Sequence, residues 1–252
     1  MTTKLSFEGN WRATVTDDPL HITPRFMGDS VDVTPNVDVQ ERERFLAHTF
    51  GSQDWLWDTP DVFRFDPDSR KLVGAELHMP YVTAGAETST RLPIMPAVRQ
   101  GGLRADEVRD FRHETCTVLY RAPGDAMLIC LRDLDVLDEP LEARIGIAPD
   151  VALLAQHGTV VGWSFTDPAR HLTTPFADPD PNPPSPVTRR LLTECLDLVT
   201  SPLVDDVVDG KPAALTRLCA ADKALRARHE DRNRADALLG LIANYVQDYG
   251  NC

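Results

Sequence analysis

Three side chains with reactive chemistry stand close together in the segment RHETC, residues 112–116. His113, Glu114 and Cys116 supply an imidazole, a carboxylate and a thiol, and a thiolate beside an imidazole can act as a nucleophile. The segment lacks the second histidine of a zinc-protease helix and the P-C-x-x-C segment of a zinc deaminase. If the protein is an enzyme, we expect these three residues to be catalytic. The alternative is an ordinary buried cysteine where a helix meets a strand.

Two further histidines, His157 and His171, lie near predicted strand ends or loops. Side chains from several strand ends can meet at one rim of a sheet, so both are candidate binding residues. Histidine is also a frequent metal ligand, but no close pair of histidines has a spacing suited to one ion. We therefore predict no metal site, and the sequence does not indicate whether a cofactor is bound.

A basic run, RARHEDRNR, covers residues 226–234. Arg228 and Arg232 are one helical turn apart, and Glu230 precedes Arg234 by four residues, the favourable orientation for an ion pair. The pattern predicts a solvated helix face. The alternative is a patch that binds an anion or a partner, with Arg228 and Arg232 as its binding residues.

The elements that position these residues follow from periodicity. Alternating apolar residues predict a mainly antiparallel sheet in the N-terminal two-thirds, because the strand segments occur as successive hairpins. Two short helices are predicted, at 39–50 and at 103–114. The predicted hairpins and strand groups cover residues 62–81, 115–133 and 142–165.

The segment PFADPDPNPPSP, residues 175–186, separates two unlike portions of the chain. Proline lacks an amide donor, so this segment is predicted to cross the surface outside any sheet or helix. After it, Ser185-Pro186, Ser201-Pro202 and Lys211-Pro212 resemble helix starts. We predict an α+β fold with a β-rich portion over 1–174, a crossover over 175–186 and a helical layer over 187–252, packed as one unit.

The formal net charge is -13, which disfavours binding to nucleic acid or to an anionic membrane surface. The first residues contain no apolar run, so no signal peptide is predicted, and no stretch approaches the ~18 apolar residues of a membrane helix. Five cysteines, an odd and widely spaced set, predict reduced thiols in a cytoplasmic protein.

Two classes of function fit these observations. The first is an acidic protein that neutralises or regulates a protein partner, by analogy of charge and size with immunity proteins that neutralise toxins. The second is an enzyme or small-molecule binder whose site lies at the sheet rim and uses the His, Glu and Cys side chains named above. The second class predicts that these side chains converge on a concave pocket. The sequence does not indicate the oligomeric state.

Overall fold

The protein has an α+β fold, as the sequence predicts. A computed structural model describes residues 3–52, 60–84 and 95–250. Within these ranges, strands occupy the N-terminal two-thirds and helices the C-terminal part.

The strands alternate with tight turns and short connections. In chain order they are β1 (Lys4–Ser6), β2 (Arg12–Val15), β3 (Arg25–Phe26), β4 (Ser30–Val33), β5 (Phe50–Gly51), β6 (Val62–Phe65), β7 (Leu72–His78), β8 (Val98–Gln100), β9 (Leu103–Ala105), β10 (Val118–Arg121), β11 (Met127–Leu131), β12 (Ala143–Ala148), β13 (Val151–Gln156) and β14 (Thr159–Thr166).

The first sheet has the strand order β8-β12-β13-β14-β1-β2-β9. In addition, β11 pairs with β14, and β10 pairs with β11. Most pairs are antiparallel, as expected for hairpins, whereas β1 runs parallel to β14 and β8 runs parallel to β12. The strand β14 is therefore central, because it pairs with β1, β11 and β13.

The second sheet has the order β3-β4-β7-β6-β5 and is antiparallel throughout. Its β6–β7 hairpin is the one predicted over 62–81, and its turn is held by Asp66, whose carboxylate accepts from the Ser69 amide at 2.7 Å. Phe63 and Phe65 of β6 are fully buried against the first sheet.

The helices begin where the sequence places capping residues and prolines. They are α1 (Val39–His48), α2 (Pro168–His171), α3 (Pro186–Val199), α4 (Leu203–Val208), α5 (Pro212–Arg226) and α6 (Arg232–Tyr249). In α3 the Ser185 hydroxyl accepts from the Thr188 amide at 3.1 Å, and Pro186 occupies the first turn. Leu192, Cys195 and Leu196 of α3 belong to the same core cluster as the apolar residues of both sheets.

Four local predictions are wrong. Residues 103–114 form strand β9 and an extended loop, because Leu103 and Ala105 pair with β2 instead of starting a helix. Ser201 does not cap α4, which begins one residue after Pro202. Residues 227–231 form the turn between α5 and α6, and Glu230 lies near Arg228 (3.7 Å) instead of pairing with Arg234. The fourth concerns the cysteines: Cys219 is disulfide-bonded, whereas Cys116, Cys130 and Cys195 are free thiols.

The proline-rich crossover is attached to α6 by a buried arginine. Arg234 is completely buried, and it lies 3.0 Å from Asp231 while donating to the carbonyl oxygens of Asp180 and Asn182. A buried charge is tolerated when it is paired and hydrogen-bonded in this way. Arg234, the last residue of the run RARHEDRNR, thus links the crossover to the helical layer through its hydrogen bonds.

We predict that Arg234→Ala lowers the free energy of unfolding by about 3 to 5 kcal/mol, because it removes a fully buried side chain and leaves one Asp231 oxygen and two carbonyls without their donor. The matched control is Arg232→Ala, which removes the exposed pair with Asp236 and two longer hydrogen bonds to the Arg226 and Arg228 carbonyls and should cost less than about 1 kcal/mol. Urea unfolding of both variants measures the difference. Equal losses in the two variants would contradict the role given to Arg234.

Candidate functional site

A cleft of about 530 Å³ opens at the rim where the two sheets meet. This volume lies in the range of roughly 300 to 1,000 Å³ that is typical of sites for small molecules. The lining residues are Glu8, Pro60, Arg112, His113, Glu114, Thr115, Thr117, Arg132 and Asp133. His113 and Glu114, predicted from the sequence, therefore line one concave site.

Four chain segments build the cleft. Glu8 belongs to a 3₁₀ turn after β1, and Pro60 precedes β6. Residues 112–117 lead into β10, and Arg132 and Asp133 follow β11. The antiparallel β10–β11 pair brings the last two segments side by side, and the Thr117 hydroxyl donates to the Arg132 carbonyl at 2.6 Å.

The imidazole of His113 is buried against the rings of Phe7 and Phe63, at centroid distances of 5.4 and 5.2 Å. Burial, and to a smaller degree the Arg132 charge, lowers the pKa of His113 to about 4. The imidazole is therefore neutral at physiological pH, with one nitrogen able to donate and the other able to accept. A group with this pKa is a hydrogen-bonding partner for a ligand and a weak general base near pH 7.

Charged groups of both signs surround this imidazole. The Arg132 Nε atom lies 3.2 Å from a carboxylate oxygen of Glu114 and 2.9 Å from one of Asp133. Glu8 differs from these carboxylates, because its Oε2 atom is buried and has no hydrogen-bond partner among the described residues. A buried acceptor without a donor is costly and rare in proteins, so it calls for a ligand or a bound water.

Beneath the cleft lies a buried acid–thiol pair. The Cys116 thiol is 3.7 Å from the Asp61 Oδ2 atom, and Asp61 Oδ1 accepts from the His78 amide at 2.7 Å. Burial raises the pKa of Asp61 to about 7, and burial together with the nearby Asp61 raises the pKa of Cys116 well above its usual range. Cys116 is therefore a protonated thiol, whereas a nucleophilic cysteine needs the opposite shift.

His157 and His171 lie outside the described lining of the cleft, at opposite ends of β13. His157 is in the turn after this strand, where it is exposed and contacts Glu139 and Glu142. His171 is buried, and its Nε2 atom is 2.9 Å from Asp150, which immediately precedes the strand. Since a strand rises by about 3.3 Å per residue, these two sites are on the order of 20 Å apart. They cannot share one ligand.

Arg228 and Arg232 also lie away from the cleft, at the junction of α5 and α6. Arg232 contacts Asp236 at 2.6 Å and donates to the backbone carbonyls of Arg226 and Arg228. Arg228 is mostly buried and lies near Glu230. Their contacts in the structure stabilise the helix junction, and the role of these two residues in binding stays a prediction.

Sequence reasoning missed Glu8, Arg132 and Asp61. Each belongs to the site through neighbours that are distant in sequence: Asp61 precedes Cys116 by 55 residues. The one local signal was the Asp61 position itself, a carboxylate directly before the apolar strand β6. A charged residue at a strand end is usually solvated, so this signal alone indicates no site.

Among the described residues, no group of three or more His, Cys, Asp or Glu side chains is placed to hold a metal ion. None of the helices in these residues is long and apolar enough to cross a membrane. The chain matches no protein-family model, and comparisons with curated proteins and with solved structures also found no match.

The raised pKa of Asp61 predicts a pH-dependent stability. The folded state keeps this proton to about pH 7, whereas the unfolded state releases it near 3.8, so the free energy of unfolding falls as pH rises between these values. Asp61→Asn cannot ionise, and its stability relative to the wild type should rise by about 4 kcal/mol from pH 4 to pH 7.5. Urea unfolding across this pH range is the measurement.

The control for this prediction is Asp178→Asn, which alters an exposed aspartate in the crossover. Its stability relative to the wild type should change much less over the same range. If Asp61→Asn follows the wild type in parallel at every pH, Asp61 ionises normally in the folded protein and the prediction is wrong.

Proposed function

We propose that this protein binds a small polar molecule in the cleft at the rim of the two sheets. The observation that carries the proposal is the unpartnered, buried Glu8 Oε2 atom in a cleft that also presents His113, Glu114 and Arg132. Specific sites combine a concave shape with a few polar groups that fix the orientation of a ligand. This cleft has both properties.

The charges of the lining residues define the ligand class. The lining contains three carboxylates, two guanidinium groups and an imidazole that is neutral, so the ionised groups nearly balance. A strongly anionic ligand would meet the Glu8, Glu114 and Asp133 carboxylates. A neutral or zwitterionic molecule with several hydrogen-bond donors fits better, because it can donate to Glu8 and accept from Thr115 and a guanidinium group.

Catalysis by His113, Glu114 and Cys116 stays a prediction. The high pKa of the Cys116 thiol argues against nucleophilic catalysis and favours a cleft that only binds a ligand. The interaction hypothesis also stays a proposal. Its support is the net charge of -13, which suits a basic protein partner. The cytoplasmic location and the absence of nucleic-acid partners are also proposals, and their support is the composition of the chain.

The first test is ligand-observed NMR with a panel of polyols, amino acids, amides and nucleosides at millimolar concentration. We expect one chemical class of compound to bind. Glu8→Gln should weaken the binding of that class by about tenfold, because the Glu8 carboxylate can no longer form a charge-assisted hydrogen bond with the ligand. Glu8 is only partly buried as a residue, so this substitution should leave the fold intact.

The matched control is Glu142→Gln, which changes an exposed carboxylate near His157 and away from the cleft. It should bind the same compounds with unchanged affinity. If no member of the panel binds, or if Glu8→Gln and the wild type bind equally, the cleft is not a ligand site.

A further inference from the structure

A second, smaller cavity lies on the first sheet, on the face opposite the main core. It has a volume of about 110 Å³ and extends across β8, β12, β13 and the end of β14. Its polar lining residues are Gln100, Arg144, Asp150 and Thr166, and its apolar lining includes Val98 and Ala152. At roughly 30 Å³ per water molecule, a cavity of this size suits a ligand of only a few non-hydrogen atoms.

Strand register places Arg144 and Gln100 on the same face. Arg144 of β12 stands directly opposite Val98 of β8, and Gly146 stands opposite Gln100. Side chains alternate between the two faces of a strand, so these residues point away from the main core, to which Ile145 belongs. A Cβ atom on Gly146 would lie 2.9 Å from the side-chain amide of Gln100. The glycine therefore lets this amide lie across β12, on the side of the cavity.

Arg144 is a half-buried cation without a carboxylate partner. Its Nε atom donates to the Ser164 hydroxyl at 3.0 Å, and its Nη2 atom lies 3.4 Å from the Thr166 hydroxyl and 3.2 Å from the Met127 sulfur. All three partners are neutral, and in the described part of the chain no carboxylate forms an ion pair with this guanidinium. Burial accordingly lowers the pKa of Arg144 from its usual value. Because arginines withdrawn from water are ordinarily paired, this charge can still be compensated by an anion.

The donors of the cavity are accessible to a ligand. The Arg144 Nη1 atom has no hydrogen-bond partner among the described residues, and it is not one of their buried atoms. Gln100 is exposed on β8, which is an edge strand of the sheet. The Thr166 hydroxyl accepts from Arg144 and can donate its own proton to a further acceptor. The cavity therefore presents a guanidinium, an amide and a hydroxyl to one small acceptor.

We propose that this cavity binds a small monocarboxylate, of the size of acetate or propionate, whose oxygens accept from the Arg144 guanidinium and the Gln100 amide. Charge-assisted hydrogen bonds from a guanidinium to a carboxylate are among the strongest in proteins. The short apolar end of the ligand would contact Val98 and Ala152. A second negative charge on the ligand is disfavoured by Asp150, which lines the same cavity and pairs with His171 at 2.9 Å.

This site is separate from the cleft of the proposed function, because the two cavities share none of their lining residues in the described part of the chain. The failure of either proposal therefore leaves the other intact.

The probe is sodium propionate, titrated at pH 7 and constant ionic strength into the full chain and followed by two-dimensional NMR of the backbone amides. We expect saturable binding in the millimolar range, with shifts at residues 98–100, 144–152 and 164–166. The neutral propionamide and the cationic n-propylamine should bind about tenfold more weakly or not at all, because neither can form the charge-assisted pair with Arg144.

Two variants test the residues, and each makes the chain more negative by one charge. Arg144→Gln removes the cation and should bind propionate about tenfold more weakly. Gln100→Glu places a carboxylate at an exposed strand edge beside the cavity, so it should fold well and weaken binding to a similar degree by repulsion. If Arg144→Gln fails to fold, Gln100→Glu decides alone.

The matched control is Arg99→Gln, which causes the same change of charge at the neighbouring residue of β8. Arg99 is exposed, lies 3.7 Å from Asp17 and is outside the described lining of the cavity, so this variant should bind propionate as the wild type does. The proposal is wrong if propionate shows no saturable binding, or if propionamide or n-propylamine binds as tightly. It is also wrong if Gln100→Glu retains the affinity of the wild type, or if Arg99→Gln loses as much affinity as Gln100→Glu.

Discussion

The packing of Phe7 against its aromatic neighbours joins the two sheets, and the rim cleft is built on this contact. Phe7 follows β1 of the first sheet and lies 5.5 Å from Phe63 of the second, in an edge-to-face arrangement. Each such pair contributes about 0.5 to 1.5 kcal/mol beyond the burial of apolar area. The other rings of this cluster are Trp11, Phe65, Phe111 and His113. Since His113 is both a member of the cluster and a lining residue, the core itself orients the imidazole of the cleft.

The buried polar groups of the protein divide into two kinds. Arg234 has a carboxylate and two carbonyl partners, and it lies where the crossover meets α6. Glu8 keeps one buried oxygen that has no partner among the described residues, and it lines the rim cleft. The three partners of the Arg234 guanidinium hold the crossover against α6, although its buried Nε atom has none among the described residues. The Glu8 oxygen, by contrast, leaves hydrogen-bonding capacity unused beside the rim cleft.

Local patterns predicted the elements whose partners are near in sequence. The hairpin over 62–81 follows from period-two alternation around a turn, and the start of α3 follows from Ser185 and Pro186, because both signals act within a few residues. The segment 103–114 was wrongly predicted as a helix, since Leu103 and Ala105 are buried by pairing with β2, about 90 residues earlier. The same limit applies to the cleft. The sequence alone shows that His113 and Glu114 are adjacent. The contribution of Glu8 to the cleft depends on residues more than a hundred positions away in the chain, which no local pattern predicts.

The central position of β14 has a consequence for the order of folding. The first strand of the chain, β1, runs parallel to β14, with Ser6 in register with Thr159. Contacts between such distant segments form slowly. The chain loses the conformational entropy of the intervening loop before the strand pairing stabilises it. During synthesis β1 can pair with β14 only after β14 has emerged, whereas β2 can pair with β1 and β9 before that. The parallel β1–β14 pair is thus a late contact of the first sheet, whereas the rings packed around Phe7 are all synthesised before β14.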